Sequence, residues 1–94
     1  MRGILAMKLM MAILKKKDCD PVTQALVKAD FHVTRVASTG GFLRQGNVTL
    51  LIGTDEEKVE SALEIIRTNV EDSDRPDQAR ATVFVLNVAQ YEQL

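Results

Sequence analysis

Aromatic residues and cysteine are scarce in this sequence of 94 residues. Tryptophan is absent, aromatic residues make up 4% of the chain, and Cys19 is the only cysteine. One cysteine cannot close an intramolecular disulfide, so we expect a reducing, cytoplasmic environment and interpret Cys19 as a buried structural thiol. Sheets that bind RNA stack bases on aromatic side chains of their middle strands, and the scarcity of such residues disfavours that function.

A strong net charge of either sign is also missing. The formal net charge is -1, and the only dense basic cluster is Lys15–Lys17, which we interpret as a solvated strand end. Neutralised phosphates supply most of the affinity of nucleic-acid binders, so the near-neutral balance argues against a nucleic-acid partner.

No hydrophobic run is long enough to cross a membrane. The apolar stretch from Met1 to Leu14 is interrupted by Lys8, and a spanning helix needs about 20 residues. No membrane partner is therefore expected. We interpret residues 1–6 as a short leader that could be disordered, and residues 1–94 as a single domain.

Groups suited to catalysis or metal binding are few. His32 is the sole histidine, and no carboxylate or nucleophile lies at a spacing typical of a catalytic pair. One histidine and one cysteine do not form a recognisable metal motif. We therefore expect no enzymatic activity, no catalytic residue, no metal and no cofactor. His32 is either an exposed edge-strand residue or a ligand contact.

The pattern of apolar and polar residues predicts six elements of secondary structure. One predicted helix covers about 19–29, with an Asp cap before Pro21, and a second begins at Thr54 with Glu57 as its capping-box partner. The predicted strands are 8–14, 31–37, 48–53 and 81–88, and 71–80 is predicted to be an exposed loop. This order is typical of the ferredoxin-like βαββαβ fold, an α+β class with a four-stranded antiparallel sheet and two helices on one face.

The predicted strands carry more apolar residues than one layer of helices can cover. Burial of this surplus on the second face of the sheet would require an oligomer. The residues assigned to the surplus are Met10, Ala12, Leu50, Ile52, Val83 and Val85.

The segment 37–47 carries the strongest indication of a ligand. Its three glycines leave backbone amides open to close approach, and successive amides can form an anion-binding concavity. Arg44 suits phosphate, Phe42 can cover a nucleobase, and Asn47 can bind ribose or a base edge. This inventory favours a nucleotide site. The alternative is a glycine-rich hairpin connection whose Phe42 and Leu43 pack into the core.

The run from Phe31 to Thr49, FHVTRVASTGGFLRQGNVT, closely resembles the PII-like cyclic di-AMP receptors, and Ala81 to Val85 resembles their last strand. The resemblance extends over most of residues 7–94. It implies a PII-like homotrimer that binds a nucleotide second messenger, cyclic di-AMP, at each subunit interface and signals without catalysis to a downstream protein that the sequence does not identify. The positions expected to line the pocket are Thr34, Gly41, Phe42, Leu43, Arg44, Asn47, Gly53 and Gln93.

Two residues on the same hairpin depart from the family pattern. Asp30 and His32 stand where these receptors typically have Asn and Arg, and both belong to the candidate ligand-binding set. An ionised Asp only accepts hydrogen bonds, and a neutral His lacks the fixed cation of Arg. Both changes reduce the fit for a dianionic ligand with two adenines. The segment 71–80 is also shorter than the family's usual loop.

These departures leave three alternatives open beside cyclic di-AMP. The chain could bind another nucleotide or anion. It could be a trimeric protein-interaction module of the same fold that has lost or changed its ligand. In the third alternative, binding is pH-sensitive, because protonation of His32 in acid would restore a cation.

Overall fold

A computed structural model describes residues 7–36, 46–71 and 80–94 of the chain. Its elements in chain order are β1 (Met7–Lys15), α1 (Lys16–Lys28), β2 (His32–Val36), β3 (Asn47–Asp55), a 3₁₀ turn (Glu56–Lys58), α2 (Val59–Asn69) and β4 (Ala81–Asn87). Neither helix within these ranges is long and apolar enough to cross a membrane. The predicted leader 1–6 lies outside the described residues.

The four strands form one antiparallel sheet in the order β2-β3-β1-β4. The central strand β1 pairs with β3 along its whole length, from Met7 opposite Asp55 to Lys15 opposite Asn47. Both helices contribute to the same hydrophobic cluster on one side of this sheet. The arrangement confirms the predicted ferredoxin-like α+β fold.

The core lies between one face of the sheet and the two helices. Successive side chains of a strand point to opposite faces, and Met10 of β1 and Leu50 of β3 both point to the helices with no exposed surface. Cys19 is 2% exposed in the same cluster, as expected for a structural thiol. The helices contribute Val22, Leu26, Ala62 and Ile66.

The opposite face of the sheet is also apolar, and the described residues cover it only in part. Met11 of β1 lies there between Leu51 of β3 and Phe84 of β4. Phe84 is 51% exposed and Leu86 is 43% exposed. We call this surface the open face and define it by Leu9, Met11, Ile13, Leu51, Phe84 and Leu86.

The residues that the sequence pattern assigned to an uncovered face are the wrong set. Met10, Ala12, Leu50 and Ile52 are completely buried beneath the helices. Val83 packs against the core, and Val85, although 42% exposed, is in register with Met10 on the helix side. The open face is formed by the sequence neighbours of these residues. Because β1 is apolar at nearly every position, its pattern alone does not reveal which set faces the helices.

The first helix begins earlier than the predicted residue 19. Lys15 is the N-cap of α1, and no side-chain hydrogen bond caps the helix. Pro21 therefore lies inside the helix and removes one backbone donor. The predicted Asp cap is wrong, because Asp18 already lies in the first turn and bonds elsewhere.

The capping box predicted at Thr54 does not form. β3 continues through Thr54 to Asp55, the 3₁₀ turn follows, and α2 begins only at Val59. Thr54 is the register partner of Lys8, is 7% exposed, and its Oγ1 donates to the Asp55 carbonyl at 3.4 Å. Pairing with β1 thus prevails over the local capping pattern.

Candidate ligand site

The structure describes only part of the candidate ligand-binding set. Gly41, Phe42, Leu43 and Arg44 lie outside the described residues. The candidates within the described ranges are Asp30, His32, Thr34, Asn47, Gly53 and Gln93.

His32, Thr34 and Gly53 lie on the same face of the sheet. His32 is the register partner of Gly53, and Thr34 is the register partner of Leu51. Side chains directly opposite each other in antiparallel strands point to the same side, so all three residues share the open face with Leu51. Both His32 and Thr34 are exposed on the edge strand β2.

Gly53 has no evident reason to be a glycine within its own chain. A Cβ atom built on it would meet nothing within 4 Å. The φ angle of Gly53 lies outside the left-handed region, unlike that of Gly46. Neither the backbone nor the packing of the described chain therefore excludes a larger side chain at position 53. The missing side chain leaves open space beside His32.

Asn47 lies at the far end of β3 from Gly53. It faces the same side of the sheet, since both residues are at odd-numbered positions of one strand. The two residues are six positions apart, which corresponds to about 20 Å along an extended strand. His32, Thr34, Gly53 and Asn47 therefore all lie on the β2–β3 strand pair, with Asn47 at the opposite end from His32 and Gly53.

Gly46 serves the backbone at the start of β3. Its φ of +88° is a conformation that glycine adopts without the strain other residues incur. Its carbonyl accepts a hydrogen bond from the Lys16 amide at 2.7 Å. This glycine is explained by the turn into β3.

Asp30 ends helix α1 and does not lie in a strand. Its φ is 69°, the only positive φ among the described residues other than glycine. The Phe31 amide donates to the Leu26 carbonyl and the Asp30 amide donates to the Val27 carbonyl, each at 3.0 Å. These two bonds form a Schellman motif, with Asp30 at the left-handed position that usually carries Gly or Asn. This role was not predicted from the sequence, although Asp30, a residue type that tolerates the left-handed region, stands directly after the last helical residues and before the buried Phe31.

Gln93 lies in the irregular tail that follows β4. The tail leaves the sheet where the Val88 amide donates to the Met7 carbonyl at 3.1 Å. Leu9, two residues further along β1, pairs with Gly53 on one side and with Leu86 on the other. The tail therefore departs from the end of the sheet that carries Gly53.

A cleft of about 180 Å³ lies on the helix side of the sheet, between α2 and the start of β4. Leu63, Val70 and Val83 line it, with Arg67 and Arg80 beside them. None of the candidate residues that the structure describes lines this cleft. The cleft is a separate feature from the candidate site.

Comparison with known protein families shows to which family the chain belongs. Residues 7–79 match the family described as cyclic-di-AMP receptor. The chain belongs to the cyclic-di-AMP receptor family. The matched range includes every candidate residue except Gln93, and it confirms the resemblance seen in the residues from Phe31 to Thr49.

A solved structure shares the fold of this receptor-family chain. It is a functionally unknown protein from Pediococcus pentosaceus ATCC 25745, with 34% sequence identity and a TM-score of 0.79. The alignment covers 96% of this chain and 99% of that chain. The two chains therefore agree in architecture nearly from end to end.

Proposed function

We propose that this chain is a non-catalytic, cytoplasmic receptor for cyclic di-AMP that acts as a homotrimer. Three copies would bury their open faces in one closed assembly. Each interface would hold the ligand between the β2–β3 side of one protomer and a neighbouring copy. A downstream protein would then recognise the ligand-bound state.

The open face supports the oligomeric part of the proposal. Phe84 is 51% exposed and Leu86 is 43% exposed beside the half-buried Met11 and Ile13. Monomeric proteins rarely expose a contiguous apolar surface of this kind unless it binds something. A second copy of the chain offers a matching apolar surface.

The observation that carries the ligand proposal is the His32–Gly53 pair at the edge of the open face. Nothing within the described chain excludes a side chain at Gly53. A glycine in a strand interior often marks a place where a ligand or another backbone approaches closely. Family membership adds the chemical class of that ligand, a cyclic dinucleotide.

The polar residues along β2 and β3 suit the chemical groups of such a ligand. His32 and Thr34 offer donors near Gly53, and Asn47 can both donate to and accept from an adenine edge. We assign phosphate binding to Arg44 and base stacking to Phe42 because a guanidinium suits phosphate and an aromatic ring can cover a nucleobase. Gln93 would complete the pocket from the tail.

Calorimetric titration of the purified protein with cyclic di-AMP tests the proposal, with ATP and AMP as controls. We expect saturable binding at least about tenfold tighter than that of ATP. Arg44→Ala and Phe42→Ala should each weaken binding by about tenfold, since each removes one recognition group. The absence of both binding heat and thermal stabilisation at high micromolar cyclic di-AMP would overturn the proposal, because a bound ligand must stabilise the native state.

Asp30 and His32 favour one second candidate, a trimeric interaction module that has lost or changed its ligand. The double variant Asp30→Asn with His32→Arg carries the residues typical of the family. Binding of cyclic di-AMP by the double variant and not by the wild type would support this second candidate. A protein captured by the wild type, and lost on deletion of residues 71–80, would support it further.

A further inference from the structure

The first turn of α1 is bonded to two distant parts of the chain. On one side, the Lys16 amide donates to the Gly46 carbonyl at 2.7 Å, directly before β3. On the other side, Asp18 Oδ1 accepts a hydrogen bond from the Glu71 amide at 3.3 Å. Glu71 follows Val70, the C-cap of α2. Residues 16–18 therefore hold both the start of β3 and the exit from α2.

Asp18 is the buried centre of this junction. It is 1% exposed, and its Oδ2 has no hydrogen-bond partner among the described residues. A buried carboxylate is unfavourable without partners, but the positive end of the α1 dipole offsets part of that penalty. Asp18 directs Oδ1 to another element rather than to its own helix, and Oδ2 can accept a further donor.

The ion pair at the same junction is the weaker of the two contacts. Lys17 Nζ lies 2.9 Å from Glu71 Oε1, but the two side chains are 53% and 70% exposed. Water and salt screen such surface pairs, which contribute little to stability. Of these two contacts with Glu71, the partly buried hydrogen bond to Asp18 is therefore the stronger restraint.

A short chain of contacts connects Asp18 to the proposed ligand site. Asn47, a proposed ligand contact, is the register partner of Lys15, which is the N-cap of α1. Gly46, directly before Asn47, accepts the hydrogen bond from Lys16. These two contacts connect Asn47 and its neighbour Gly46 to the turn that contains Asp18.

We propose that Asp18 is a positioning residue that couples Asn47 to Glu71, so that ligand binding at β3 changes how the exit of α2 is held. The inference rests on the proposed function, because it takes cyclic di-AMP as the ligand. Coupling of this kind is reciprocal. Loss of the Asp18 contact should therefore also weaken ligand binding, although Asp18 does not touch the ligand.

Amide hydrogen exchange of the full chain without ligand tests the restraint itself. Asp18→Asn keeps the shape of the side chain but replaces a charged acceptor by a neutral one, whose hydrogen bonds are about half as strong. We expect the Glu71 amide to exchange about tenfold faster in this variant. Asp20→Asn, at an exposed residue of the same helix, is the matched control and should leave Glu71 unchanged. Equal exchange in the wild type and Asp18→Asn would overturn the inference.

The same measurement at saturating cyclic di-AMP tests the coupling. In the wild type we expect the ligand to change Glu71 exchange by about fivefold or more, and in Asp18→Asn we expect this change to disappear. Affinity in Asp18→Asn should fall by about threefold to tenfold. A residue with only a structural role would alter stability and leave the ligand-induced change in place. Unchanged Glu71 exchange in the saturated wild type would overturn the coupling.

Glu71→Pro provides a second variant in case Asp18→Asn does not fold. Proline removes the N–H donor and leaves Asp18 intact, and Val70 is already extended, with ψ of 145°, as a residue before proline prefers. We expect affinity to fall by about threefold to tenfold, whereas Glu71→Gln, which keeps the amide, should bind as the wild type does. Wild-type affinity in Glu71→Pro would contradict the proposal.

If the wild type binds no cyclic di-AMP, the coupling fails with the proposed function, and exchange without ligand still decides whether Asp18 holds Glu71.

Discussion

Asp30 combines two roles in one position, the end of a helix and a place in the candidate ligand set. Its φ of 69° and the Schellman hydrogen bonds around it explain why a residue that tolerates the left-handed region is needed there. Asn tolerates this region as well as Asp does, and it carries no charge. The Asn that is typical of the family therefore has a structural reason at this position in addition to any contact with the ligand.

Asp30→Asn should raise the free energy of unfolding by about 0.5 kcal/mol, because it removes a negative charge from the negative end of the α1 dipole. Urea denaturation at neutral pH measures the change. Asp20→Asn, at an exposed residue nearer the other end of α1, should not stabilise the protein. A wild-type or lower stability of Asp30→Asn would contradict the assigned role.

Gly53→Val should abolish or strongly weaken cyclic di-AMP binding and leave the fold intact. Valine suits a strand, and the space beside Gly53 is open. We therefore expect unfolding free energy within about 1 kcal/mol of the wild type, with affinity reduced by at least about tenfold. Calorimetry and thermal unfolding measure the two effects.

Gly46→Ala is the matched control for Gly53→Val, because it also adds a side chain to a glycine of the β3 region. At φ of +88° an alanine is strained, so stability should fall by about 1 kcal/mol. Tight binding of cyclic di-AMP by Gly53→Val would show that the ligand does not approach this strand.

At the scale of elements, the type and order of every helix and strand could be predicted, and several boundaries could not. Hydrophobic periodicity indicated α1 and α2, and apolar runs indicated the strands, because these patterns reflect burial. Thr54 was misread because a capping box is a local pattern, whereas pairing of Thr54 with Lys8 depends on a distant strand. The prediction of which β1 side chains face away from the helices was wrong for the same reason, because the pairing with distant strands determines that orientation.

Thr54→Val should be neutral, within about 0.5 kcal/mol, because Thr54 is a buried strand residue and no side chain caps the following helix. Loss of a true N-cap would lower stability by about 1 kcal/mol. Chemical denaturation separates the two cases. A destabilisation of that size would show that the hydroxyl has a role beyond its hydrogen bond to Asp55.

At the scale of the whole molecule, the open face links the fold to the proposed function. Its apolar residues on β1, β3 and β4 and the polar candidates His32 and Thr34 on the edge strand β2 lie on one surface. The antiparallel pairing of β2 with β3 was predicted from the sequence, whereas the register that places His32 opposite Gly53 was not. An interface pocket depends on a second copy, and no pattern within one chain specifies how two copies meet.

Phe84→Arg should convert the proposed trimer to a monomer, because burial of the open face against another copy would then bury an unpaired charge. Analytical ultracentrifugation measures the mass in solution. Val27→Arg is the matched control, because Val27 on α1 is 54% exposed and Phe84 on the open face is 51% exposed. Only Phe84→Arg should change the mass in solution. A wild-type protein that sediments as a monomer would contradict the proposed assembly.

The most direct measurement of the central claim is a titration of isotope-labelled protein with cyclic di-AMP, followed through the backbone amide resonances. Binding at the edge of the open face predicts saturable shifts that are largest at His32, Thr34 and Gly53. Glu60, on the exposed surface of α2, should not move. Absence of shifts at a ligand excess, or shifts confined to the cleft beside Arg67, would contradict the account.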